Sequence, residues 1–354
     1  MNRRLILLAA IASFAIGILT GWTLTGQKRD TAMKATPDRR YALNVAFSGA
    51  PAFGEARDTW RRIGASTAGV ETIYGGPLTG DANKQIEELE MLVEQNVSGI
   101  VVYPSDPAAL APTIDKAVAK GIPVVTLFSD VSNSKRLTCV QEPEVESGRK
   151  IATKVFEDFK ARLQQPCGVL ISYARPSMEN QVNRRAGIEQ VIKEWNAKNG
   201  ADIIKIVDTV SDEIDDAKGA EAIRAAFTKH GKDKIQFIFG CDSRSAIAAV
   251  SVLKELKLPP KKVVVTGWDS DADVLDLIAA KPDRSDDSEW VHATVILYVS
   301  AMTQTAFGLL ESYNLGYMYP ESLRLREFSV PPVPSSILVP VNAVDKHNVG
   351  AYRK

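Results

Sequence analysis

Along residues 81–130 the apolar positions switch between two periods. Ile86, Leu89, Leu92 and Val93 recur at helical spacing, and Gly99 to Tyr103 is a short unbroken apolar run stopped by Pro104. Ala108 to Lys120 returns to helical spacing and ends at Gly121, and Pro123 to Leu127 is a second apolar run. Helix, strand, helix, strand with wholly apolar strands predicts a βαβ unit in a parallel sheet covered on both faces. Ligands of such sheets bind beyond the carboxyl ends of the strands. Here those ends carry Tyr103-Pro104-Ser105-Asp106 and Phe128-Ser129-Asp130.

The same alternation runs on either side. Tyr41–Phe47 reads as a strand, followed by a Gly/Pro-containing loop, a helix with Trp60 and Ile63, and a strand near Val70 to Ile73. Beyond Asp130, strands are expected at 136–140, 168–172, 203–207, 235–239, 263–266 and 293–295. Helices are expected at 147–163, 180–196, 217–230, 245–256, 272–280 and 300–311. Repeated βα units predict an α/β protein built on doubly wound parallel sheets.

Composition narrows the class. With 354 residues, 45% of them hydrophobic, the chain can fill two domains of ordinary size. Lys+Arg and Asp+Glu both number 43, so no global basic field points to nucleic acid. The three histidines form no metal motif, and no nucleophile elbow, zinc-protease motif or phosphate loop is present. These absences weigh against an enzyme, and no cofactor or metal is expected. At the N-terminus Arg3-Arg4 precede an apolar run from Leu5 to Thr25, long enough to cross a bilayer. Residues 1–26 read as a signal peptide or as an uncleaved membrane anchor through residues 5–25, with 27–40 as a polar linker. The expected location is the periplasm or the outer face of a membrane. Cys139, Cys167 and Cys241 allow one disulfide at most, and their places in or beside strands suggest buried thiols.

The ordered pattern of a glutamine-bearing helix, Val97-Ser98-Gly99-Ile100-Val101-Val102-Tyr103-Pro104-Ser105-Asp106, then Gly121-Ile122-Pro123-Val124-Val125-Thr126 resembles the type I periplasmic binding proteins, ribose-binding branch. Arg184 to Gly187, Cys241-Asp242, Gly267-Trp268-Asp269, Ala293-Thr294-Val295 and 337–342 extend the resemblance over roughly residues 42–348. It implies two doubly wound lobes joined by a three-stranded hinge, closing on a small solute. The implied lobes are residues 41–141 with 296–328, and 142–295 with 329–348.

Carried over residue by residue, the resemblance implies a cleft holding Phe53, Asp106, Phe128, Asp130, Arg184, Cys241, Asp242, Trp268, Asp269 and Leu297. In it an aromatic ring packs a ligand face while carboxylates and an arginine fork hydrogen-bond hydroxyls. Several positions depart from the sugar-binding pattern: Gly54 and Ile214 stand where aromatics are usual, Phe128 for an acid, Cys241 for an amide and Leu297 for a glutamine. Glu142-Pro143-Glu144 replaces the usual segment before the second lobe. The expected ligand is thus sugar-like but larger or less polar than ribose. The resemblance implies an ABC importer as partner; a membrane-tethered sensory subunit serving a receptor or kinase is the alternative. A LacI-type regulator would need a helix-turn-helix where residues 1–40 supply an apolar span.

Overall fold

The computed structural model describes residues 38–49, 52–200, 202–213, 215–279, 290–318 and 333–353. The expected signal or anchor, most of the linker, Ile214, the 281–289 loop and residues 319–332 lie outside the described residues. Residues from Arg39 onward form one compact unit holding two six-stranded sheets.

The first sheet contains β1 (Arg39–Val45), β2 (Val70–Gly75), β3 (Gly99–Tyr103), β4 (Val124–Leu127), β5 (Thr138–Gln141) and β11 (Ser336–Leu338), in the order β11-β5-β4-β3-β1-β2, every pair parallel. Its helices are α1 (Ala52–Ser66), α2 (Ala82–Glu94), α3 (Pro107–Ala119) and α9 (Val299–Asn314). The second sheet contains β6 (Cys167–Tyr173), β7 (Ile204–Ser211), β8 (Phe237–Gly240), β9 (Val264–Trp268), β10 (Val291–Ile296) and β12 (Asn342–Asp345), in the order β12-β10-β9-β8-β6-β7. Only the β10–β12 pair is antiparallel among its pairings. Helices α4 (Glu144–Asp158), α5 (Glu179–Asn199), α6 (Asp216–His230), α7 (Ser243–Glu255) and α8 (Ala272–Ile278) complete the second lobe. The α/β architecture of two doubly wound lobes is as the sequence implied.

The central strands β3, β4, β6, β8 and β9 are buried at every position, as expected of strands covered by helices on both faces. β7 extends to Ser211, beyond the five residues expected. It lies at the sheet edge and exposes Lys205 and Ile206, so the apolar pattern marked only part of it. Residues 329–348 were expected wholly in the second lobe. Instead β11 pairs with β5 in the first sheet, and the chain then crosses to β12 in the second. Short strands of this kind carry little periodicity to assign them to either sheet. The chain passes between the sheets after β5, after β10 and after β11.

Two glycines place the first of these crossings. A Cβ on Gly187 would lie 2.0 Å from Val145 O, and one on Gly148 would lie 2.0 Å from Arg184 O. Helices α4 and α5 therefore meet backbone to backbone. The glycine of the Arg184-x-x-Gly187 motif serves this approach, which brings Arg184 against the start of α4. All three cysteines are buried free thiols. Among the described residues no helix is long and apolar enough to cross a membrane.

Candidate ligand-binding cleft

The strands' carboxyl ends meet around a cavity of 330 Å³, within the range of small-molecule sites. One wall belongs to the first lobe and is aromatic. Phe47 follows β1, Phe53 lies in the first turn of α1, Tyr103 ends β3 and Phe128 follows β4. Phe53, Tyr103 and Phe128 form a mutual trio, with ring centroids 5.2 Å (Phe53–Tyr103), 6.1 Å (Phe53–Phe128) and 5.8 Å (Tyr103–Phe128) apart. The buried Gln85 amide sets the Tyr103 end of this wall. It donates to Asn44 Oδ1 and to Tyr103 O, each at 2.8 Å, and accepts from Ser105 N at 2.8 Å. Ala174 and Met178, from the loop between β6 and α5, pack into the first-lobe core, so the lobes touch across the cleft.

The facing wall belongs to the second lobe and is polar. Arg184, 3% exposed, occupies its centre. Its Nε donates to Glu142 Oε1 (2.9 Å) and Glu144 Oε2 (2.7 Å), its second terminal nitrogen lies 2.6 Å from Glu142 Oε1, and Nη1 donates to Cys241 O at 2.8 Å. The guanidinium lies 4.7 Å over the Trp268 ring, whose Nε1 donates to the same Glu142 oxygen at 3.0 Å. Two carboxylates thus share one cation in a deeply buried site. Burial drives the Glu144 carboxyl well above the usual carboxylate range, with Glu142 adding to that effect and Arg184 opposing it.

Asn180, Asp242 and Asp269 present acceptors that nothing in the protein satisfies. Asn180 Oδ1, Asp242 Oδ2 and Asp269 Oδ1 are buried without a hydrogen-bond donor. Asp242 spends its other oxygen capping α7, accepting from Ser245 N at 2.8 Å. Burial and the nearby Asp212 push its carboxyl well up. Asp269 follows β9 with a left-handed backbone, φ 73°. Burial raises its carboxyl to about 7, against a lowering pull from Arg184. These three are set apart from the other unpartnered buried polar atoms by lining one cavity, where a ligand or water can supply the donors.

Of the ten residues singled out from sequence, Phe53, Phe128, Arg184, Asp242, Asp269 and Leu297 line the cavity together. Trp268 lies behind it as the ring beneath Arg184. Cys241 contributes only its carbonyl, its side chain being fully buried in the second-lobe core. Asp130 is not at the cavity. Its carboxylate is held by Arg136 Nε at 2.5 Å, Thr126 Oγ1 at 2.9 Å and its neighbour's Val131 N at 2.7 Å, because Arg136 is the nearest cation and leaves it no free acceptor to offer. Asp106 caps α3 through Ala109 N and lies outside the cavity as well. Sequence reasoning missed Phe47, Asn180 and the grip of Glu142 and Glu144 on Arg184. The signal for the last was visible as two acids flanking a proline where a helix begins.

A model of the periplasmic binding protein domain family matches residues 42–313, so the chain belongs to that family. It is 24% identical over 197 residues to the ribose import binding protein RbsB of Bacillus subtilis, covering 55% of this chain and 58% of that one. It is 23% identical over 141 residues to a xylitol-binding protein of Mycolicibacterium smegmatis, covering 40% of this chain and 38% of that one. The alignments thus span about half the length of the curated relatives. Among solved structures it resembles a solute-binding protein of Burkholderia graminis in complex with D-arabinose, with TM-score 0.75 and 21% identity over 91% of this chain and all of that one.

Proposed function

We propose that this chain, a periplasmic binding protein by family, captures a small polyhydroxylated ring between its two lobes and hands it to an ABC importer at the periplasmic or outer face of a membrane. The observation that carries this reading is the pairing of an aromatic wall on one lobe with three unsatisfied buried acceptors on the other. A sugar or cyclic polyol has apolar C–H faces for Phe53, Tyr103 and Phe128, and an edge of hydroxyl donors for Asn180, Asp242 and Asp269. The cleft would then do no chemistry: binding alone matches donors to acceptors. The relatives named for ribose, xylitol and D-arabinose support the same ligand class. The importer partnership and location follow from the same kinship. The sensory alternative rested on an anchor that lies outside the described residues, and nothing in the cleft favours it.

Calorimetric titration of the purified chain with ribose, arabinose, xylitol and inositols tests the reading. Saturable binding of one of them at micromolar concentration, lost in Asp269→Ala, is the expected result. Heats indistinguishable from dilution across neutral sugars and polyols, repeated with nucleosides and amino sugars, would overturn it.

A further inference from the structure

The lining of the cleft holds more acidic groups than cationic ones. Four carboxylates line the cavity: Glu55, Asp242, Asp269 and Asp271. Two cations line it, and both are engaged elsewhere. Arg184 is held by Glu142 and Glu144, and Arg244 by Asp216 at 3.2 Å. Glu55 and Asp271 are satisfied by neutral donors, the Ser300 hydroxyl at 2.7 Å and the Ser243 hydroxyl at 2.6 Å. Asp242 and Asp269 each keep one buried oxygen without a donor, and Asn180, 5% exposed, adds a third acceptor.

A carboxylated ligand entering this space would meet Asp242 and Asp269 with no free cation to receive it. A neutral polyol would satisfy the acceptors but would not favour the ionised form of the two buried carboxyls. A primary ammonium supplies three donors and a positive charge, and the opposite wall offers ring faces that also attract cations. We propose that the preferred ligand of this cleft is an aminated sugar or amino-polyol, its ammonium held by Asp242 and Asp269 and its ring against Phe53, Tyr103 and Phe128. This deepens the solute-binding reading and rests on it. Burial independently holds the Asp242 and Asp269 carboxyls above their usual range, the state that an entering cation would relieve.

Matched triads test the sign of the preference. A hexose, its aminodeoxy derivative and its uronic acid, in the gluco, galacto and manno series, are titrated calorimetrically into the purified chain at pH 7, alongside neutral pentoses and polyols. The expected result is one series in which the amine binds at least tenfold tighter than the neutral sugar while the acid fails to bind. Asp269→Asn and Asp242→Asn, which conserve shape, should each reduce that preference to threefold or less. A neutral ligand matching or exceeding its amine, or any acid binding comparably, overturns the inference while the solute-binding reading stands. No binding in any triad or in the neutral panel overturns both.

Discussion

The two lobes repeat one backbone plan and clothe it differently. In each, the residue just after the fourth strand turns into the left-handed region: Phe128 after β4 at φ 64°, and Asp269 after β9 at φ 73°. In each, the residue after the third strand's end region is an aspartate capping the next helix: Asp106 before α3 and Asp242 before α7. The first lobe places a ring at the turn, and its capping aspartate stays outside the cavity. The second places a carboxylate there, and its cap lines the cavity with one oxygen left unpaired. Symmetry of the backbone therefore coexists with asymmetry of chemistry. One wall supplies mainly aromatic contact area, with Glu55 as its carboxylate, and the other supplies most of the directed acceptors that set orientation.

Breaking the polar wall at its centre should cost most. Arg184→Ala leaves Glu142 and Glu144 buried without their cation, and loss of one partner from a buried ion pair costs about 3–5 kcal/mol. Urea unfolding should show a lowered midpoint with an unchanged slope. Arg184→Ala combined with Glu142→Gln and Glu144→Gln should recover part of the loss. If the triple variant is as unstable as the single one, the shared-cation account is wrong.

Asp269 should move stability and binding in opposite directions. Its folded-state value of about 7 lies above that of an unfolded aspartate, so the folded protein holds a proton that the unfolded chain releases. Stability of the ligand-free protein should therefore fall as pH rises from about 4 to about 7. The groups acting on this carboxyl are Arg184, which lowers it, and Asp271 and Glu142, which raise it. At roughly 1.4 kcal/mol per unit, Asp269→Asn should stabilise the empty protein at pH 8 by at most about 4 kcal/mol and remove this residue's share of the pH slope, leaving that of Asp242 and Glu144. Ligand affinity should drop about 10- to 100-fold, since hydrogen bonds to charged groups are worth about 1.5–3 kcal/mol. Thermal melts from pH 5 to 8, with and without ligand, separate the two effects. A destabilised, still-binding Asp269→Asn would show that the carboxylate serves the fold.

The aromatic wall should respond more weakly. A bulky side chain at positive φ carries about 1–2 kcal/mol of backbone strain that glycine relieves. Phe128→Gly should therefore be more stable than Phe128→Ala by about 1 kcal/mol, while both lose ligand affinity to a similar extent, about tenfold. Equal stability of the two would remove strain from the account of this turn.

How much of this was legible differs between the lobes for physical reasons. The fold was readable because fully buried strands and capped helices write long apolar runs and punctuation into the chain. Residues Arg184, Asp242 and Asp269 were readable as cleft residues because they follow strands or stand in a spaced motif. What Arg184 does there was not, because its partners Glu142 and Glu144 lie about 40 residues away and come together only when Gly148 and Gly187 let two helices touch. Asp130 misled for the mirror reason: it sits beyond a strand end, but Arg136 six residues later takes up its carboxylate. The division of 329–348 between sheets was equally hidden, since three- and four-residue strands carry too few alternations to show which sheet they join.

The smallest effect isolates the asymmetry best. Asp106 and Asp242 stand at equivalent places and make the same backbone bond, to Ala109 N at 3.1 Å and to Ser245 N at 2.8 Å. Replacing a capping aspartate with alanine costs about 1 kcal/mol of stability. Asp106→Ala should lose that amount and leave ligand affinity unchanged within twofold, because none of its oxygens reaches the cavity. Asp242→Ala should lose the cap too, yet remove a buried, repelled carboxyl, so its net change in stability should be smaller than the cap alone while its affinity falls at least tenfold. Chemical denaturation and titration of the two variants side by side give both readings. If Asp106→Ala weakens binding as much as Asp242→Ala, the polar floor extends to the first lobe and the division of labour between the walls does not hold.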